Sequence, residues 1–287
     1  MQNEIIRIAP SYDKKWLETV QPKPLSDKKI ENLYLEILNG NLKKDISDNV
    51  YTDFIKETEK WIFNTTLNQL SNINSFFRKD VINGCTQFID TIYMNGPVQT
   101  LIGDYRYHER LDLHKSVEPR KLIPKIPLIV AMPFPQIGKC HENMEEILNE
   151  CLEKEIEVHI DGAWVTCCKD IIFDFNHPSI QSVGISLSKG LGLGWNRIGL
   201  RWTKSNKPDA ITIMNDFHMN LRATAMIGLH FVKEFPSDYL WTEYSKHYYK
   251  VCNDFDLEPT KSIHLAKLNN NPVGISPLIR YLAENEK

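Results

Sequence analysis

From residue 182 to residue 202 the chain alternates, breaks and resumes. Val183, Ile185 and Leu187 occupy every second position, the period of a strand with one buried face. Lys189 follows, flanked by Ser186 and Ser188, then glycines at 190, 192 and 194. Arg197 precedes a second apolar run, Ile198, Leu200 and Trp202. The pattern predicts strand, glycine-rich turn, strand, with Lys189 at the end of the first. Upstream, 127–132 is a continuous apolar run, as expected of a strand buried on both faces of a parallel sheet. Residues 142–154 carry Met144, Ile147, Leu148, Cys151 and Leu152 at helical spacing, and 156–160 is a further strand ending in Asp161-Gly162-Ala163-Trp164. Strand, helix and strand in that order form a βαβ unit, whose ligands gather outside the carboxyl ends of the strands. Asp161 and Lys189 both occupy such ends.

The flanking segments are plainer. Residues 27–38 hold an imperfect helical stripe, and 51–72 predict an amphipathic helix through Phe54, Ile55, Trp61, Ile62 and Leu67. Asn83-Gly84-Cys85-Thr86-Gln87 opens a helix carrying Phe88, Ile89, Ile92 and Tyr93. A glycine with small hydroxyl or thiol residues at a helix start suits an anion, because free N–H groups point outward there; a plain turn capped by Thr86 is the bland reading. Residues 97–108 predict a short strand and turn with Tyr105, Tyr107 and His108, while 115–125 and 173–178 predict loops. After a polar break at 203–209, 211–231 predicts one long helix and 238–251 an aromatic-rich one. Residues 259–268 and 273–282 predict two strands of a small terminal unit.

Composition changes this picture little. The chain has 287 residues, 42% hydrophobic and 25% charged, with a net charge of -3, an ordinary globular balance with no basic tract for nucleic acid. No apolar run is long enough to span a bilayer, and the first ten residues lack the apolar core of a signal peptide. The six cysteines (85, 140, 151, 167, 168, 252) show no metal-ligand spacing; reduced thiols in a cytoplasmic protein, with no metal, are expected. The glycines at 190–199 do not make a dinucleotide loop, since neither the spacing nor a following helix fits.

The chemistry concentrates at Lys189. A lysine at the end of a buried strand is costly to charge, and two hydroxyls and an arginine beside it suit a phosphate. S-L-S-K with an arginine eight positions on resembles the Schiff-base segment of fold-type I pyridoxal-phosphate enzymes, in particular class I/II aminotransferases. The resemblance implies an α/β fold, a three-layer large domain with a mostly parallel sheet and a short C-terminal small domain. On this chain it implies an N-terminal arm or small-domain part over 1–50, a cofactor-binding domain over 51–204 and a linking helix with a reduced small domain over 205–287. It makes Lys189 the Schiff-base lysine, Ser186, Ser188 and Arg197 phosphate ligands, and Gly84, Cys85 and Thr86 the phosphate loop. Asp161 would hold the pyridine nitrogen protonated, so that the ring accepts an electron pair from the substrate α-carbon. An aromatic side chain would stack on the ring: Tyr107 is favoured, with Tyr105 and His108 as alternatives.

Three positions depart from the family. D-G-A-W places Trp164 where D-x-A-Y has a ring-oxygen tyrosine, and an indole N–H donates but cannot accept. Pro133-Phe134-Pro135-Gln136-Ile137-Gly138 replaces an Asn-Pro-x-Gly turn, and Gln136 is a poor stand-in for the asparagine. Arg280 is the nearest candidate for gripping a substrate α-carboxylate, a role suited to a planar guanidinium; a surface arginine is the alternative. His177, in a His-Pro loop, is expected to be structural. The resemblance implies an aminotransferase acting on an amino acid or similar amine, working as a homodimer. A decarboxylase, lyase or racemase on the same fold, or a protein that has lost turnover, remains open.

Overall fold

The computed structural model describes residues 14–20, 23–40, 49–109, 114–135, 137–220 and 222–285. It opens with helices α1 (Lys14–Leu17), α2 (Lys28–Asn39) and α3 (Val50–Phe63), then strands β1 (Gln69–Ser71) and β2 (Arg78–Ile82). Helix α4 (Cys85–Tyr93), β3 (Val98–Leu101), α5 (Arg106–Glu109), β4 (His114–Val117) and β5 (Leu128–Ala131) follow. Next come α6 (Met144–Glu153), β6 (Val158–Asp161), β7 (Ile172–Asp174), β8 (Ile180–Ser186), the single helical turn α7 (Leu187–Gly190) and β9 (Gly199–Thr203). Helices α8 (Ala210–Asp216), α9 (Arg222–Glu234) and α10 (Tyr239–Phe255) lead to β10 (Glu258–Pro259), β11 (Leu265–Leu268), β12 (Asn271–Gly274) and α11 (Ser276–Asn285).

The central sheet has seven strands in the order β2-β9-β8-β6-β5-β3-β4. Strands β8, β6, β5, β3 and β4 run parallel, and β9 is antiparallel to both of its neighbours. This is the mostly parallel α/β sheet expected from the apolar runs. Parity along β8 sorts the layers. Val183 lies opposite Trp202, whose indole N–H donates to Glu59 of α3 at 2.8 Å, so α3 covers that face. Gly184 points the other way: a Cβ there would lie 2.6 Å from the Phe88 ring of α4. Helix α4 therefore rests directly on the second face, and no larger residue fits beneath it. Val183, Ile185, Leu200 and Trp202 are all buried within 1% exposure, each side chain contributing about 1.5–3 kcal/mol of burial free energy.

Both ends of the described chain meet at the C-terminal elements. Asp27 caps α2 by accepting the Ile30 N–H at 2.8 Å, a typical N-cap contact. Its other oxygen accepts the hydroxyls of Tyr239, at 3.0 Å, and of Tyr244 on α10. The Ser276 hydroxyl donates to the Lys23 carbonyl at 2.7 Å. Strands β10, β11 and β12 form a separate antiparallel sheet.

Several local expectations are corrected. The helix expected over 51–72 stops at Phe63, and Gln69–Ser71 pairs in parallel with Ile172–Asp174, so part of the expected 173–178 loop is strand. His114–Val117 is a strand beside β3, at the start of the expected 115–125 loop. The single helix expected over 211–231 is two, α8 and α9. Residues 273–282 are mostly helix α11, because Ser276-Pro277 is a helix-start signal that outweighs the apolar run. Lys189 sits one turn past the strand, inside α7.

Candidate active site

The carboxyl ends of β6 and β8 and the amino end of α4 converge. Asp161 closes β6, opposite Gly184 of β8, and is 3% exposed. One carboxylate oxygen accepts the Ala163 N–H at 3.1 Å. The other lies 3.2 Å from His108 Nε2. Gly84, the residue before α4, has φ +77°, a region that favours glycine. A Cβ there would stand 2.6 Å from Arg197 Nη2, so the guanidinium lies directly against the backbone. Arg197 Nη2 donates to Thr86 Oγ1 at 2.9 Å, and Nη1 to Ser188 Oγ at 3.3 Å. Arg197 itself has φ +30°, a strained backbone of the kind that clusters at functional sites.

Among the described residues no carboxylate pairs with Arg197. A half-buried guanidinium gathered with two hydroxyls at a helix N-terminus is an arrangement completed by an anion with several acceptor oxygens. Ser186 is also buried here, and the Cys85 thiol contacts both Ser186 and Asp161; burial first, then the Asp161 charge, pushes that thiol well up. Cys85 is thus a neutral packing group within the loop. Gly84, Cys85, Thr86, Ser186, Ser188 and Arg197 are brought together as the sequence suggested.

Lys189 is half-buried, and burial lowers its pKa. Cys167 and Asp161 oppose that shift, whereas Arg197 adds to it. Its Nζ stands 5.2 Å from the centre of the Trp164 ring. His264, fully buried, bonds the Lys189 carbonyl through Nε2 at 3.0 Å and meets Trp164 edge-on, centroids 5.8 Å apart. Cys167 lies in the same cluster. Burial raises its pKa, but contacts with Cys168 and His264 and the charge of Lys189 outweigh burial and bring it below the usual thiol range.

The aromatic candidates separate. Tyr107 donates its hydroxyl to Asp90 of α4 at 2.6 Å, while Tyr105 stacks on Tyr107 at 6.3 Å. His108, one residue on, is the ring against Asp161. It lies between two carboxylates, with Nδ1 3.4 Å from Asp104; that contact is an ion pair too long and bent for a good hydrogen bond. Burial would lower the His108 pKa, yet Asp104 and Asp161 raise it to about 9. Arg280 is held by Glu31, at 3.1 Å, and Glu284, at 2.9 Å. His177 bonds Ser179 at 2.8 Å, a structural contact, and Gln136 lies outside the described residues. Asp104, Cys167 and His264 carried no sequence signal, except that Asp104 and His108 are four residues apart.

The fold has counterparts among known structures. The chain superposes on an aromatic aminotransferase from Pyrococcus horikoshii with a TM-score of 0.59 and 15% identity, over 86% of this chain and 77% of that one. A tyrosine aminotransferase from Leishmania infantum gives 0.61 and 8%, over 91% and 90%. An aspartate aminotransferase from Thermus thermophilus with maleate gives 0.54 and 13%, over 87% and 75%. The fold is the fold-type I aminotransferase fold. No family model matches the sequence, and no curated protein matches it. The likeness is therefore one of fold; Asp161 ends β6, and Lys189 and Arg197 lie between the end of β8 and the start of β9, on the side of an α/β sheet where ligands gather.

Proposed function

We propose that this chain is a pyridoxal-phosphate-dependent aminotransferase acting on an amino acid or a similar amine. The observation that carries the reading is one assembly: a half-buried lysine, a buried aspartate and an arginine–hydroxyl cradle without a carboxylate. These residues fit the cofactor. Arg197, Ser188, Thr86 and the start of α4 would take its phosphate, with Gly84 allowing close approach. Asp161 would accept the ring N–H, and His108 behind it, drawn to both Asp104 and Asp161, would keep that carboxylate in place. The cofactor supplies an aldehyde carbon for an amine and a ring that accepts the electron pair left at the substrate α-carbon. Lys189 Nζ is the amine that would bond that carbon and, once displaced, take the α-proton as base and return it as acid. A base must first be neutral; burial of Lys189 and the Arg197 charge favour that form.

The test is the visible spectrum of the cofactor-free protein on adding pyridoxal phosphate. Wild type should gain a band that borohydride removes, fixing the cofactor on the peptide containing Lys189, and Lys189→Ala should not. An amino donor alone should then convert the bound cofactor to its amine form stoichiometrically. Conversion with loss of carbon dioxide, or of a β-substituent, would identify a different reaction on the same fold, and a band unresponsive to every amine offered would identify lost turnover. Sedimentation tests the homodimer that belongs to the same reading.

A further inference from the structure

Trp164 is held in place from two sides. It follows the strand-end Asp161 by three residues and caps the 3-10 turn Val165–Cys167, while His264, from the C-terminal elements, packs edge-on to its indole. The same imidazole bonds the carbonyl of Lys189, and its Nδ1 lies 3.4 Å from Ser276 Oγ. One buried side chain thereby fixes both the backbone of the lysine and the ring beside its amine. The amine itself lies 5.2 Å from the centre of that ring, within the reach of a cation–π attraction.

We propose that Trp164 is the seat of the unattached Lys189 amine, its indole face holding the ammonium and His264 fixing the ring and the lysine backbone in register. The proposal extends the reading of Lys189 as the reacting amine and assigns Trp164 a positioning role in place of a bond to the cofactor. An indole face attracts the cation and not the neutral amine, so the seat acts against desolvation. The charged and titratable groups facing Lys189 are Asp161 and Cys167, which favour its cation, Arg197, which opposes it, and the Cys85 thiol, which is held neutral. His264 faces its backbone. The consequence is a lysine that, when a substrate amine has taken its place, stays inside the site and, once it has taken the α-proton, is held there as the ammonium that returns it.

The experiment uses cofactor-free protein whose lysines are reductively methylated with 13C-formaldehyde and followed by NMR across pH. The Lys189 signal is identified by its loss in Lys189→Arg. In wild type it should lie upfield of the exposed lysines, from the indole ring current. In Trp164→Leu the displacement should vanish and the titration midpoint fall by about 0.4–1.5 pH units, the span of a cation–π contact; Trp164→Phe should fall between. If Trp164→Leu does not fold, judged by circular dichroism, the wild-type displacement and the Trp164→Phe midpoint decide. A wild-type signal among the exposed lysines, or midpoints equal in folded variants, would overturn the seat. Pyridoxal phosphate titration of the same proteins before methylation, while Lys189 is still a primary amine, separates the two readings: an upfield lysine in a protein that takes up no cofactor keeps the seat and removes the enzyme.

Discussion

Replacing Gly84 by alanine perturbs the cradle by two routes whose sizes can be compared. The first is backbone strain: at φ +77° and ψ 169°, a region almost restricted to glycine, a Cβ costs about 1–3 kcal/mol, which at this chain length lowers Tm by only a few degrees. The second is steric. The new methyl would lie 2.6 Å from Arg197 Nη2 and 2.9 Å from Cζ, and ordinary contact needs about 3.5–4.0 Å. The guanidinium is the end of a flexible side chain, so it swings away at little cost in stability. That swing breaks the 2.9 Å bond to Thr86 and removes the donor intended for the phosphate.

A hydrogen bond to a charged group contributes about 1.5–3 kcal/mol, so the variant should bind pyridoxal phosphate about 10- to 150-fold more weakly. Pyridoxal, which lacks the phosphate, should bind wild type and variant alike. Equilibrium titration of cofactor-free protein with both compounds gives the comparison. Equal weakening for the two, or none for either, would refute the assignment of this corner to phosphate, whatever the melting temperature does.

Asp80→Asn should cost about 3 kcal/mol in urea denaturation, since it strips a buried partner from Arg201; the Arg201 side chain is 5% exposed, Asp209 stays as its second partner, and a loss within error would show that Asp209 alone suffices. Gly184→Ala should cost about 1–3 kcal/mol by overpacking against Phe88, 2.6 Å from the new Cβ, and Gly184→Ala with Phe88→Leu should recover part of it. His108 has a folded pKa raised to about 9, above the ordinary value of about 6.5. Its stabilisation is therefore complete below pH 6.5 and lost as pH rises to 9, on the order of 3 kcal/mol; His108→Leu should abolish that slope in the cofactor-free protein, and an unchanged slope would assign it elsewhere.

What the sequence disclosed was what lies close along the chain. Ser186, Ser188, Lys189 and Arg197 are held by one strand–turn–strand, and Asp161 by the end of a clear apolar run, so their spacing survives folding. The choice between Tyr107 and His108 was illegible because both lie on one helical turn, about 100° apart around its axis. A turn read as irregular gives no phase, and only the packing of α5 sends Tyr107 to Asp90 and His108 to Asp161. Strand β7 was hidden for another reason: three residues are too few for a period, and its partner β1 lies about a hundred positions upstream. Helix α11 was legible and misread, since Ser276-Pro277 marks a helix start.

The clamp on the lysine is the part no local pattern could show. His264 reaches the Lys189 carbonyl across 75 positions of chain, and its neighbour Ile263 donates its N–H to the Cys167 carbonyl at 3.1 Å. That carbonyl also accepts the Trp241 indole N–H at 3.1 Å, so the turn carrying Trp164 and Cys167 is pinned by α10 and by the segment before β11. The C-terminal elements thus form one wall of the candidate site and set the backbone position of its lysine. Any rigid-body displacement of those elements must either break the His264 bond or carry α7 with it.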